Sequence, residues 1–325
     1  MIISRTPLRV SFCGGGTDID DFSMSEPKGG RVISAALSRY VYVTINSRFD
    51  DRIRVSYSNM EDVGSIENIQ HGLVREALRL TGIESGVEIT TIADIPGQGT
   101  GLGSSSSVTV GLLNAMHAFQ GRKASKEQLA EEACQIEIDT LGAPIGRQDQ
   151  YAASFGGVNS IRFGENGVQV EPIAVSEGLS RKFSENFTLV FTGLTRSASK
   201  VLSEQSDDES DKNSRMREIR KHADEAASHV EHGDLNSLGA ILNQTWISKR
   251  GVSSMVTNTQ IDDLYERVMS SGALGAKLLG AGNGGFLLVC GNPQLRGILQ
   301  RQLGEDHRMF PLEIDFSGSS IIFGT

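Results

Sequence analysis

Positive charge is in short supply: 31 Lys and Arg stand against 40 Asp and Glu over 325 residues, a formal net charge of −9. A surface for nucleic acid needs a concentrated Lys/Arg face, so nucleic acid is not expected as a partner, and any anionic ligand must be held locally. Cysteine is scarce too. Cys13, Cys134 and Cys290 are odd in number, widely separated and without a C-x-x-C pair, which argues against a disulfide framework and a structural zinc site. No apolar run approaches membrane-spanning length, and Ser4, Arg5, Thr6 and Arg9 deny the first stretch the apolar segment of a signal peptide. The expectation is a cytoplasmic protein with no membrane partner. Against these absences stand 37 glycines beside only 7 prolines. Glycine above the average share points to loops where backbone comes close to something.

The length suits two domains. Ile2 to Phe12 reads as a strand running into Gly14-Gly15-Gly16, and Tyr40 to Ile45 and Ile53 to Tyr57 read as further strands. Ile69, Leu73, Ala77 and Leu80 share one face of a helix between Glu67 and Leu80. A strand at Val87 to Ile92, a glycine loop and a helix opening among Ser104 to Ser107 follow in that order. Ser125 with Gln128 forms a capping-box start for a helix whose buried face is Leu129, Ala133, Ile136 and Thr140. Gly178 to Asn186 reads as the polar junction before a new strand, Phe187 to Phe191, which divides the chain into 1–185 and 186–325. Ser203 to Ser214, rich in acid and poor in apolar residues, reads as a mobile surface loop. Helices are expected over Arg215 to Glu231, Leu235 to Trp246 and Ile261 to Ser270, and a strand over Phe286 to Cys290.

Four constellations carry chemistry. Pro96, Gly97, Gly99, Gly101, Leu102 and Gly103, followed by Ser104, Ser105 and Ser106, read as a phosphate cradle rather than a flexible glycine-serine connector, because glycines turn N–H groups inward and a helix N-terminus adds donors. The lysine of a Walker A loop is absent, and no G-x-S-x-G elbow marks the serines as hydrolase nucleophiles. Glu137 and, twelve residues on, Asp149 offer one carboxylate for a metal on nucleotide phosphates and one to receive a hydroxyl proton. Taken singly, they read better as a helix-surface charge and a loop carboxylate. Arg9 precedes Gly14-Gly15-Gly16-Thr17-Asp18, where Asp18 is either a sugar-hydroxyl acceptor or simple turn chemistry. Lys277 to Phe286 satisfies G-x-G-x-x-G through Gly280, Gly282 and Gly285, but it leads into a strand, so a hairpin loop facing the cleft is the better reading than a dinucleotide fingerprint. His222, His229 and His232 read as a solvated helix face rather than zinc ligands.

Together, Arg9, the P-x-x-x-x-G-L-G-S-S run from Pro96 to Ser105, the Glu137 to Asp149 spacing and Lys277 to Gly285 resemble the three ordered motifs of the GHMP small-molecule kinases over essentially the whole chain. Ser4-Arg5-Thr6-Pro7-Leu8-Arg9 with Gly14 to Asp18, Gly101 to Ser107, Gln148-Asp149-Gln150-Tyr151 and Thr192-Gly193-Leu194-Thr195-Arg196 are similar to the heptose 7-phosphate kinase branch, with fucokinase domains as near neighbours. The resemblance implies an α+β fold with a ribosomal-protein-S5-like N-terminal domain and a ferredoxin-like C-terminal domain. ATP and sugar are then bound between them. It implies transfer of the γ-phosphoryl group of ATP to the C1 hydroxyl of D-glycero-D-manno-heptose 7-phosphate. It assigns Mg²⁺ to Ser105 and Glu137, proton acceptance to Asp149, and charge neutralisation to Arg9, which stands where many members have lysine. Gly15, Gly16, Thr17, Asp18 and Gly282 are expected to line the sugar site. Arg147, Arg196, Lys200, Lys249 and Arg250 are candidates for the sugar's phosphate, with Arg147 and Arg196 foremost. Asn283 interrupts the usual glycine run and is expected to tolerate left-handed backbone. A kinase for fucose or galactose, and a silent sensor of ATP and sugar, are the competing readings. A homodimer is compatible with either.

Overall fold

The computed structural model describes residues 1–95, 99–195 and 209–324. β-Branched and apolar residues dominate the first 47 positions and form two long antiparallel strands, β1 (Ile2–Cys13) and β2 (Gly30–Ser47), with Ile2 opposite Ile45 and Val10 opposite Ala35. The second half of β2 pairs with β5 (Val87–Ala93), which lies parallel to β3 (Ile53–Ser56), and β3 turns back into β4 (Met60–Val63). The first half of β2 pairs with β6 (Val158–Gly164), itself in a hairpin with β7 (Gly167–Ile173). Behind this sheet lie α2 (Gly72–Thr81), α3 (Ser104–Phe119), α4 (Lys126–Cys134) and α5 (Gln148–Phe155), while a short α1 (Asp20–Ser23) follows the first glycine turn. α2 starts later than its periodicity predicts. Ile69 is buried but extended, and His71 caps the helix by accepting from the Val74 N–H.

The second sheet is antiparallel, ordered β11 (Met309–Pro311), β8 (Phe187–Phe191), β10 (Phe286–Cys290), β9 (Gly275–Leu278). Its helices are α7 (Glu209–His232), α8 (Leu235–Arg250), α9 (Thr259–Ser270) and α10 (Leu295–Leu303). Strand, helices, two strands, helix, strand with this spatial order is the split βαβ arrangement of ferredoxin-like domains. Among the described residues no helix is long and apolar enough to cross a membrane.

Three expectations are corrected. The polar stretch Gly178 to Asn186 is no open junction but helix α6 (Glu177–Asn186), capped by Ser176 accepting from the Leu179 N–H and anchored by buried Phe183. Phe12, Phe183 and Phe187 meet with ring centroids 5.6 Å apart, so this helix ties β1 to β8 within one hydrophobic core. Each such burial contributes about 1.5–3 kcal/mol. The acidic loop expected at 203–214 falls partly outside the described residues. From Glu209 the chain is already helical, and Asp211 pairs with Arg215 at 2.9 Å one turn on. Finally, the second sheet begins at Phe187, but β12 (Ser320–Phe323) crosses back to pair with β1, so the span 186–325 contributes to both sheets. Ser319 holds that return, its Oγ lying 2.8 Å from Thr6 Oγ1 and accepting from Asn114 Nδ2.

Candidate active site

Between β5 and α3 the described part of the glycine loop, Gly99 to Gly103, uses left-handed backbone at Gly99, Gly101 and Gly103. Pro96 and Gly97, expected in the same cradle, lie outside the described residues. At Gly101 a Cβ would stand 2.5 Å from the Leu279 carbonyl oxygen, so no side chain fits. The loop is stitched to β1: the Arg9 N–H donates to the carbonyl of buried Leu102 at 3.0 Å, and Ser107 Oγ donates to the Pro7 carbonyl at 2.9 Å. α3 therefore opens beside β1, and the N–H groups of Ser104, Ser105 and Ser106 in its first turn have no carbonyl one turn earlier to bond. Thr100 Oγ1 and Ser104 Oγ, 3.1 Å apart, close the turn. Such a helix head takes anions.

Asp149 comes to this head from the first turn of α5. Arg9 grips it with two parallel bonds, Nε to Oδ1 at 2.6 Å and Nη2 to Oδ2 at 2.7 Å, while Nη1 donates to the Gly101 carbonyl at 2.5 Å. A Cβ on Gly103 would lie 3.2 Å from both Arg9 Cγ and Asp149 Oδ2, which places the carboxylate directly over the helix head. Arg9 is almost wholly buried, but the Asp149 side chain keeps 21% of its surface exposed and so is reached by solvent.

Glu137 arrives differently from the expected helix surface. α4 widens into a π-helical turn, Gln135–Thr140, which changes the rotation per residue. Glu137 turns inward and is buried, whereas Thr140, expected in the core, is exposed. Ser105 Oγ donates to Glu137 Oε1 at 3.0 Å and Gln150 Nε2 to Oε2 at 2.6 Å. Burial pushes the Glu137 carboxyl above the usual range, and hydrogen bonds from Ser106, Gln150 and Ser105 pull the other way. A hydroxyl and a carboxylate at the cradle's mouth are hard oxygen donors of the kind Mg²⁺ selects.

The Gly14 to Asp18 turn packs on the same helix, α5. Asp18 is buried and its carboxylate accepts from the Gly16 N–H, the Gln148 N–H and Gln148 Nε2 at 2.9–3.0 Å. Burial raises its carboxyl above the ordinary range. Asp18 thus latches the turn to α5 rather than opening toward a ligand, and Thr17 is likewise engaged, its Oγ1 donating to the Gly14 carbonyl at 2.7 Å. Gly15 is in ordinary contact: a Cβ there would meet Ser11 Oγ at 3.4 Å and the Gln148 amide at 3.7 Å. With Gln148 Nε2 committed to Asp18, the buried Gln148 Oε1 is left without a partner among the described residues.

The third glycine loop joins β9 to β10 as a hairpin, and Asn283 adopts φ 59°. Gly280 rests on Gly101, and Gly282 on Val256, whose carbonyl a Cβ would approach to 2.5 Å. The loop thus braces the cradle. Of the phosphate-clamp candidates, Arg147 pairs with Asp20 at 2.7 Å and Arg250 with Asp262 at 3.1 Å, while Arg196 and Lys200 lie outside the described residues. Lys249 instead reaches this loop, its Nζ donating to the Gly280 and Leu278 carbonyls. Lys277, which the spacing left without a role, is buried and donates to the Ser11 carbonyl at 2.5 Å. His222 departs from the solvated face expected of it, lying half-buried 3.3 Å from Thr245 Oγ1. A surface hollow of about 440 Å³ along α9, near Arg267 and His307, is lined by none of the residues described above.

Family comparison agrees with this geometry. The model for the GHMP kinases N terminal domain matches residues 68–157, and that for the GHMP kinases C terminal domain matches residues 225–307. The D-glycero-alpha-D-manno-heptose 7-phosphate kinase of Campylobacter jejuni is 30% identical over 310 residues, 90% of each chain. A bifunctional fucokinase/GDP-fucose pyrophosphorylase of Arabidopsis thaliana is 26% identical over 95% of this chain and 31% of its own length. The crystal structure of a D-glycero-D-manno-heptose 1-phosphate kinase from Bacteroides thetaiotaomicron superposes over the full length of both chains with TM-score 0.82 at 23% identity, a likeness of fold. The chain belongs to the GHMP kinases and is a phosphotransferase that acts on an alcohol group, a sugar kinase.

Proposed function

We propose that the chain transfers the γ-phosphoryl group of ATP to the C1 hydroxyl of D-glycero-D-manno-heptose 7-phosphate, giving the 1,7-bisphosphate. The observation that carries this reading is the Arg9–Asp149 pair lying over the head of α3. The first-turn N–H groups of α3 and the glycine loop hold the triphosphate. Asp149 orients the C1 hydroxyl and accepts its proton as the new O–P bond forms and ADP departs. Arg9 stays between the two, offsetting the charge that gathers on the transferring group. Mg²⁺, held by Ser105 Oγ and the Glu137 carboxylate, would neutralise phosphate charge at the mouth of the cradle. Choice of a 7-phosphorylated heptose is supported by the C. jejuni relative.

The test is a panel of sugars and sugar 7-phosphates with Mg-ATP, following ADP release and locating the new phosphate by NMR. A product phosphorylated at C1, made fastest from the heptose 7-phosphate, is expected. Preference for unphosphorylated fucose or galactose would replace the substrate assignment and keep the kinase.

A further inference from the structure

We propose that Lys249 and Lys277 form, together with Arg9, a subsite for a phosphoryl group at the seam between the two sheets, an inference that rests on the sugar-kinase reading above. Lys249 stands in the last turn of α8 and Lys277 in β9, so both cations come from the second sheet and its helices, whereas Arg9 comes from β1. Lys277 is 2% exposed and gives its hydrogen bonds to Ser11, at 2.5 Å to the carbonyl and 3.5 Å to Oγ. Among the described residues Lys249, half-buried, bonds only backbone carbonyls, those of Leu278 at the end of β9 and Gly280 in the third glycine loop. Among the described residues neither ammonium has a carboxylate partner, and Asp149 is already taken by Arg9. Cys13 lies near Lys277, but burial pushes its thiol up to about 11 and leaves it neutral.

Arg9 therefore has a carboxylate and, among the described residues, the two lysines have none, inside a chain whose formal charge is −9. An uncompensated buried cation is costly, and the cost falls when an anion enters. Burial brings Lys249 down to about 7 and Lys277 to about 8, with repulsion from Lys277 and Arg9 adding at Lys249 and repulsion from Arg9 adding at Lys277. The position selects the class of anion. Lys249 hangs on Gly280, which lies against Gly101 of the cradle, and Lys277 hangs on Ser11, whose Oγ lies beside Gly15 of the first glycine turn. The pair thus spans the ground between bound triphosphate and bound sugar, where two phosphoryl groups are available: the γ-phosphoryl of ATP and the phosphate already carried by the acceptor.

Binding of ATP, ADP, heptose 7-phosphate and unphosphorylated heptose to Lys249→Met, Lys249→Arg and Lys277→Met, measured by calorimetry, distinguishes the two sources. Each methionine variant is expected to weaken either ATP or the sugar phosphate by about tenfold or more, the scale of a lost charge-assisted contact, and to leave ADP and the unphosphorylated sugar within about twofold. Lys249→Arg should recover most of the loss. Weakening confined to ATP assigns the subsite to the γ-phosphoryl, and weakening confined to the sugar phosphate assigns it to the acceptor. Folded variants that bind both ligands as the parent does would overturn the proposal. For a variant that does not fold, the parent protein answers instead: added inorganic phosphate should move the side-chain NMR resonances of Lys249 and Lys277, and unmoved resonances would equally overturn it. Phosphoryl binding without transfer to any sugar would defeat the functional reading alone.

Discussion

Arg9 is held on three sides, by the Asp149 carboxylate, the Gly101 carbonyl and, through its own N–H, the Leu102 carbonyl. That fixation is why Gly103 matters. Its φ of 73° is left-handed, and a methyl group there presses on the pair at 3.2 Å. Gly103→Ala should lose about 1–2 kcal/mol of stability from backbone strain, read as a shift in the denaturant midpoint. Its loss of turnover should be larger than that strain alone explains. An alanine variant with parental turnover would show that the pair needs no such support. The two lysines yield a pH prediction. Their ammonium pKa values lie at about 7 and about 8 in the ligand-free protein, with Arg9, Cys13 and each other as the facing groups. An anion favours the charged form, so binding of the phosphorylated ligand at pH 8 must take up protons, whereas below pH 6 both lysines are already charged and uptake vanishes. Calorimetry in buffers of different ionisation enthalpy measures this. Absence of buffer dependence at pH 8 would contradict it.

Among the elements, α3 was legible from its sequence, because apolar residues from Val108 to Phe119 repeat on helical spacing behind the serine-rich start. The turn that carries Glu137 was not. A regular 3.6 period predicts Ile136 and Thr140 inward, and nothing in Gln135 to Thr140 announces the wider turn that brings the carboxylate to Ser105 instead. Similarly, α6 hid behind its polar residues, since Phe183 is its one fully buried side chain. The π turn supports a metal prediction. Glu137→Gln keeps the shape and one accepting oxygen but removes the charge, so the Mg²⁺ concentration giving half-maximal rate should rise by about tenfold or more. An unchanged Mg²⁺ requirement would move the metal away from Glu137.

At the scale of the molecule, the two sheets share one core in which Phe12 of β1 meets Phe183 and Phe187, and β12 returns to the first sheet. That return could not be read from the sequence, because pairing over some three hundred residues leaves no local signature. The lysine cluster was hidden for the same reason: Lys249 and Lys277 meet Arg9 only once α8 and β9 dock on β1. Shared packing of this kind should make unfolding a single event. Fluorescence of the sole tryptophan, Trp246, buried in the second half, and far-UV circular dichroism should give coincident midpoints, and separated midpoints would show independently folding halves. Convergence also supports the role proposed for Asp149, whose carboxylate lies over the cradle yet reaches Arg9 and not the serines. In Asp149→Asn, single-turnover phosphorylation of heptose 7-phosphate should slow by about 10²–10⁴-fold while the nucleotide Kd stays within about twofold of the parent. Parental turnover, or a loss of nucleotide affinity matching the loss of rate, would contradict proton acceptance by Asp149 at this cleft.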